Sequence, residues 1–359
     1  MENFTRVTLS DSQKKELKEV IGEDYVIGQQ LGNAGSHTVA YELTNTKNGE
    51  KEVLLMPHSK TKMTQLELFK YMEHQHKADK WRDYCAEGYD QTKGCFLPAT
   101  KIYALPDGVC RIIPYAGCDL SEKVFSKLPQ VERQSIAQKL AAWLNFVHQK
   151  SFVDPNPINE EFSRYRVGDI SSSDNWGDFS DGTPFSQKVM ETFGPYMAPL
   201  QQKEVKALIT AYQKRDKSDE VCVLTHGDLR FQNILYNADK KQLSVIDFEM
   251  ASLTSVYRDF CPFCHSGLTP EMVVQIVSAY NQLPKAHPIH IDPQKVKSFL
   301  LVAYLHELTR CATPETAKKS WSIFKKYYQS INAAFSKESK GVSPQKIMVD
   351  KHIKDSSNN

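Results

Sequence analysis

Asp228, Asn233 and Asp247 are two carboxylates and an amide whose order and spacing suit the handling of a metal-bound phosphate. They lie in the runs His226-Gly227-Asp228, Asn233 and Asp247-Phe248-Glu249, with five residues from Asp228 to Asn233 and fourteen more to Asp247. Transfer of a phosphoryl group needs a carboxylate to receive the attacking hydroxyl's proton and ligands for magnesium on the phosphates. Asp228 fits the first task, and Asn233 with Asp247 fits the second, with Glu249 as a further metal candidate. The apolar runs Val221-Cys222-Val223-Leu224 and Leu243-Ser244-Val245-Ile246 lead into the two carboxylates. They predict two short buried strands holding the polar ends at one edge, joined through a turn at Asn237-Ala238-Asp239.

The bulk properties are those of an ordinary globular protein. A chain of 359 residues, 40% hydrophobic and 25% charged, has room for two or three folding units or one two-lobed enzyme. A net charge of +2 gives no support to nucleic-acid binding or membrane steering. No run approaches the roughly 20 apolar residues that a membrane span requires. The opening Met1-Glu2-Asn3-Phe4-Thr5 lacks the layout of a secretory signal, and eight scattered cysteines fit a reducing compartment. The chain therefore reads as a soluble, cytoplasmic protein. Cys261-Pro262-Phe263-Cys264-His265 has the spacing of a haem attachment site but reads as a coincidental thiol pair.

The elements that must position the motif divide at Pro114-Tyr115-Ala116-Gly117, a predicted hinge over 114–117. Before it, residues 1–113 read as a small antiparallel-sheet lobe. Ser10-Asp11-Ser12-Gln13 is a capping box opening a helix that Gly22 can end. Strands follow at Tyr25 to Gln30, Thr38 to Leu43 and through Val53-Leu54-Leu55-Met56. Gly32, Gly35 and Ser36, in the turn between the first two, could bring backbone N–H groups to a phosphate. Thr64-Gln65-Leu66-Glu67 opens a second helix reaching about His76. At 100° per residue Glu73 falls within about 20° of Leu66, on the inward face. Two more strands flank Pro106-Asp107-Gly108.

Beyond the hinge, 118–335 reads as a larger, mainly helical lobe. Ile136, Leu140, Trp143, Leu144 and Val147 stripe a helix ending near His148. Residues 153 to 185 are rich in Asp, Asn, Ser, Gly and Pro and read as a long loop or lid. A helical stretch covers about 186 to 215, and Thr269-Pro270 and Asp292-Pro293 each resemble an N-cap with proline at the first helical position. Residues 336–359 lose apolar periodicity and read as a disordered tail.

With these elements the chain resembles the aminoglycoside phosphotransferase and choline kinase superfamily, carried by His226-Gly227-Asp228, Asn233, Asp247-Phe248-Glu249 and Tyr257-Arg258-Asp259-Phe260. The resemblance covers about 24–335 and implies an α+β, two-lobed protein-kinase-like fold. It implies an ATP- and Mg2+-dependent kinase acting in line on the hydroxyl of a small molecule, an amino alcohol such as choline or ethanolamine or an aminoglycoside-like compound. By it, Asp228 and Asn233 are catalytic, and Asn233, Asp247 and Glu249 hold metal. Gly32, Gly35, Ser36, Lys60, Glu73, Pro114 and Tyr115 would serve the nucleotide. His226 and Asp259 would brace the loop. A protein or lipid kinase of this fold, or a nucleotide-binding pseudokinase, is the alternative. The long lid, and the lack of an activation segment between Asp247 and Asp259, disfavour an ordinary protein kinase.

One departure stands out. The family carries a lysine or arginine on the third strand, against the ATP phosphates. Met56 is read here as occupying its place. Three explanations are open: a shifted register, a charge supplied by Lys60 or Lys62, or a degraded ATP site. For a cationic substrate, Asp174, Trp176, Asp178 and Asp181 of the lid and Tyr304, Trp321, Tyr327 and Tyr328 are candidate contacts.

Overall fold

The computed structural model describes residues 9–31, 38–57, 65–90, 95–99, 101–105, 108–120, 122–153, 182–215, 221–265, 270–287 and 289–338. The turn holding Gly32, Gly35 and Ser36, the residues Lys60 and Lys62, and the lid over 154–181 lie outside them.

The first lobe begins with helix α1 (Asp11–Ile21). Its capping box forms as expected: Ser10 Oγ accepts from the Gln13 N–H, and the Ser10 N–H donates to Gln13 Oε1. Gly22, at φ 102°, ends the helix, its N–H donating to Lys18 O. Strands β1 (Tyr25–Leu31), β2 (Thr38–Asn45), β3 (Lys51–Pro57), β5 (Lys101–Leu105) and β6 (Gly108–Pro114) build an antiparallel sheet in the order β1-β2-β3-β6-β5. Period-two alternation divides its side chains between two faces. Leu17 and Ile21 of α1 pack onto one face against Val39, Tyr41, Leu43, Leu54, Met56, Cys110 and Ile112, all buried.

Helix α2 (Gln65–Ala86) runs ten residues past the expected end at His76, because Ala78, Trp81 and Cys85 continue an apolar stripe into the larger core. After α2, the two-residue strand β4 (Cys95–Phe96) leaves the first lobe. It pairs in parallel with β10 (Gln242–Val245) of the motif region, Cys95 opposite Leu243.

The second lobe is mainly helical, and most of its buried side chains form one large core. Helix α4 (Gln130–Val153) follows the short α3 (Glu122–Phe125) and continues five residues beyond the expected stop at His148. Phe185–Phe193 and Pro199–Gln213 form α5 and α6, interrupted at Gly194-Pro195. Pro270–Gln282, Pro293–Cys311 and Ala317–Glu338 form α7, α8 and α9. Asp292 caps α8 as anticipated, its side chain accepting from the Gln294 N–H. Helix α9 extends three residues into the predicted tail; Ala334 and Phe335 still bury apolar surface near its end.

The two strands leading to the carboxylates are not a hairpin. β8 (Cys222–Thr225) pairs with β11 (Ser252–Ser255), whereas β10 pairs antiparallel with β9 (Ile234–Asn237) and through it with β7 (Cys118–Asp119). The turn at Asn237 therefore joins β9 to β10, with Asn237 Oδ1 accepting from the Lys240 N–H. The expectation joined the two apolar runs through this turn, but β9 intervenes, and each run finds its hydrogen-bond ladder elsewhere.

Gly117 ends the interlobe connection at φ 115°, and a Cβ there would collide with the Tyr236 carbonyl of β9. A Gly117→Ala variant combines positive-φ strain with that clash and should lose roughly 2 kcal/mol or more of stability. Urea unfolding tests this; an unchanged midpoint would show that the connection does not need the close approach.

Candidate active site

The loop after β8 is built around one tight position. Gly227 sits at φ 77°, and a Cβ on it would run into the Met250 carbonyl. Only glycine meets both demands. Its N–H donates to Asp259 Oδ1 at 3.0 Å. Asp259 Oδ2 in turn accepts from His148 Nε2 at 3.1 Å, and the Tyr280 hydroxyl donates to His148 Nδ1 at 3.1 Å. His148, Asp259 and Tyr280 are essentially solvent-free. Burial, and then the Asp259 carboxylate, push the Tyr280 phenol well up, so it remains a donor.

His226 does what the sequence suggested, bracing backbone. Its Nε2–H donates to Ile246 O at 2.9 Å, and its Nδ1 accepts the Asp228 N–H at 3.3 Å. One imidazole thereby links the loop carrying Asp228 to the residue before Asp247. The ring is wedged between Trp143 of α4 and Phe248, at centroid distances of 6.4 and 4.7 Å. Trp143 also meets Phe248 edge-on. Such aromatic pairs contribute about 1 kcal/mol each beyond area burial.

Asp228, Asn233 and Asp247 are brought together by main-chain and side-chain bonds. Asn233 Nδ2 donates to Asp228 O at 2.8 Å and to Asp228 Oδ2 at 3.1 Å. That fixes the amide orientation and turns Oδ1 to the side away from Asp228. The Ile246 N–H donates to Asn233 O at 3.0 Å, which seats Asp247 beside Asn233. Asp247 itself is exposed and left-handed, at φ 69° and ψ 65°. A non-glycine residue held there costs on the order of 1 kcal/mol and indicates a carboxylate whose direction is imposed by its surroundings.

Sequence reasoning missed Arg230. Its Nε and Nη2 donate to Asp228 Oδ1 at 2.8 and 2.7 Å, a forked pair on a carboxylate one-fifth exposed. The signal was a cation two residues after Asp228 on the same loop. With Arg230 on one oxygen and Asn233 on the other, the carboxylate is held in place yet retains lone pairs for a further donor.

The nucleotide-side assignments are less uniform. Met56 does not project toward a phosphate site, because it is buried under α1 with Leu54. The strand alternation was read correctly and the outward face reversed: Val53 and Leu55 are the residues on the other side. Pro114 is the last residue of β6 and has no N–H, and the Tyr115 N–H already donates to Lys51 O at 3.1 Å. Neither can donate a backbone hydrogen bond to a base; their carbonyls remain acceptors. Glu73 lies on α2 and Glu249 in the turn Phe248–Met250, with both side chains outside the described residues. Of the aromatic substrate candidates, Trp321 is a core side chain buried against Phe324, whereas Tyr304 and Tyr327 are partly buried and pack on each other at 4.4 Å.

The donor set fits magnesium. Asn233 Oδ1 and the Asp247 carboxylate are hard oxygen ligands, and magnesium binds to few protein groups, completing its shell with phosphate and water. Among the described residues no three His, Cys, Asp or Glu side chains gather as a metal site.

The model of a family described as the phosphotransferase enzyme family matches residues 33–290. No curated protein matches the chain. Among solved structures, wild-type aminoglycoside 2'-phosphotransferase-IIIa in its GDP complex is 15% identical over 85% of this chain and 92% of its own, with a TM-score of 0.54. The streptomycin–ATP ternary complex of APH(2'')-IIa is 13% identical over 90% of this chain and 99% of its own, with a TM-score of 0.52. ADP-bound APH(2'')-Ib is 14% identical over 91% and 99%, again at 0.52. At such identities the likeness is one of fold: the antiparallel lobe followed by the helical lobe is the two-lobed kinase-like architecture.

Replacing Asp259 by Ala would strand the buried Gly227 N–H and His148 Nε2–H without acceptors. We expect a loss of about 3 kcal/mol in urea unfolding. A loss below about 1 kcal/mol would show that water satisfies both donors and that the network is not structural.

Proposed function

The chain belongs to the phosphotransferase enzyme family, and we propose that it transfers the terminal phosphoryl group of ATP to a hydroxyl of a small, cationic molecule. The observation that carries this reading is the clamped carboxylate of Asp228, flanked by Arg230 and Asn233 and seated beside Asp247.

Asp228 would orient the acceptor hydroxyl and take its proton as the oxygen bonds to the terminal phosphorus. The bond from that phosphorus to the bridging oxygen of the leaving nucleoside diphosphate breaks in the same displacement, with no phosphoenzyme. Asn233 Oδ1 and Asp247 would hold magnesium, which neutralises phosphate charge when bound. Arg230 would keep Asp228 Oδ1 occupied, so that the acceptor hydroxyl meets the carboxylate in one orientation. Glu249 remains a candidate second-ion or water ligand, and Gly32, Gly35 and Ser36 remain candidate phosphate donors.

A small acceptor is favoured by the short distance in sequence between Asp247 and Asp259. Within that segment Tyr257 Oη accepts the Asp292 N–H at 3.2 Å, which ties it to the start of α8. Choline- or ethanolamine-like amino alcohols and aminoglycosides are the acceptor classes to test first. Among the described residues no helix is long and apolar enough to cross a membrane.

An ADP-release assay across amino alcohols, aminoglycosides and nucleosides, run on the parent and on Asp228→Asn, tests the reading. One acceptor class should stimulate release in the parent, and the variant should fall by about 1000-fold. Equal rates from the two proteins would remove Asp228 from the chemistry.

A further inference from the structure

The sheet of the first lobe lacks a cation on β3 where phosphates would need one, and we infer that Arg111 of β6 supplies that charge from the neighbouring strand. The inference rests on the proposed use of ATP.

Register fixes where Arg111 points. It lies directly opposite Leu55 of β3, and on its other side opposite Ile102 of β5. Opposed residues of antiparallel strands share a face. Cys110 and Ile112, the residues on either side of Arg111, are fully buried in the α1 core together with Leu54 and Met56. Arg111 therefore projects from the other face, with Leu55, Val53 and Ile113.

That other face looks toward the motif. Helix α2 packs against β6 and also against the turn Phe248–Met250, which directly follows Asp247. Since α2 buries Ala78, Trp81 and Cys85 in the core of the second lobe, the face turned away from α1 is the one turned toward that lobe. Arg111 is half-buried there, three residues before Pro114.

Position separates Arg111 from the other cations of the sheet. The described strands of this sheet carry three cationic residues, Lys51, Lys101 and Arg111. Lys51, at the start of β3, pairs with Glu42 at 2.8 Å and is more than half exposed. Lys101, on the edge strand, pairs with Glu52 at 3.1 Å. Arg111 alone of the three sits mid-sheet on the lobe-facing side. Adjacent strands are about 4.8 Å apart, a step that an arginine side chain spans easily. Its planar fork also suits two phosphate oxygens at once, which a lysine ammonium does not.

The test compares the parent with Arg111→Met, Arg111→Lys and the double variant Leu55→Lys/Arg111→Met. Affinities for magnesium–ATP and for adenosine are measured by calorimetry, alongside thermal midpoints and turnover. Arg111→Met should weaken ATP binding about 10-fold and turnover about 100-fold, while adenosine affinity and the midpoint hold. Arg111→Lys should retain part of both. Leu55→Lys/Arg111→Met should regain most of the ATP affinity, because an ammonium returns to the same face one strand away. Arg111→Met binding ATP within about twofold of the parent would overturn the inference, as would equal losses for ATP and adenosine. A double variant no better than Arg111→Met would overturn it too. A parent that binds no ATP would instead fail the proposed function, and this inference with it.

Discussion

The active loop depends on the hydrogen bond from the Gly227 N–H to Asp259, a contact that few other residue pairs could provide. Gly227 must be left-handed and must lie against the Met250 carbonyl, so its amide points inward where water cannot reach it. Asp259 accepts that amide and is itself held by His148, which Tyr280 anchors from α7. A buried carboxylate is costly unless its oxygens are satisfied. Here one oxygen takes the Gly227 N–H and the other His148 of α4, with Tyr280 of α7 behind the imidazole, so α4, α7 and the 3-10 segment Val256–His265 that carries Asp259 converge on one peptide plane. Asp228 then follows as the next residue and inherits a fixed origin. A second imidazole, His226, sets the distance to Asp247 in the same way, by bonding to main chain on both sides.

Much of this was legible in the sequence, for identifiable reasons. The two-lobed order, the capping box at Ser10, the N-cap at Asp292 and the bracing roles of His226 and Asp259 depend on local patterns or on a recognised motif. What escaped depends on pairing partners. The apolar runs before Asp228 and Asp247 look alike, and no local signal says that one ladders with β11 and the other with β9. Helix ends were missed for a related reason: α2 continues because the larger core receives Trp81, and α4 because Ser151 Oγ accepts the Leu224 N–H of β8, and composition alone cannot reveal those receivers.

The β3 assignment is instructive because its periodicity was right and its conclusion was not. Alternation separates Leu54 and Met56 from Val53 and Leu55, but it does not say which pair looks inward to the lobe's own core. That is decided by α1, an element before the first strand that covers one face. Once α1 is in place, Met56 is simply a core side chain, and the absence of charge at its position carries no message about phosphate. Arg230 shows the converse. It was visible as a residue but acquired a role only when its guanidinium was found on Asp228.

The two-residue strand β4 bears on the order in which the molecule can be completed. Cys95 and Phe96 form their ladder with Leu243 and Ser244, about 150 residues further along the chain. A growing polypeptide has the first lobe's other five strands in hand long before that partner is synthesised. The segment after α2 must therefore wait, with Cys95, fully buried in the finished protein, exposed in the interval. Pairing of β4 with β10 thus follows synthesis of the β9–β10 hairpin. Separately produced halves of the chain would each present an unpaired edge, and β10 would lack one of its two neighbours.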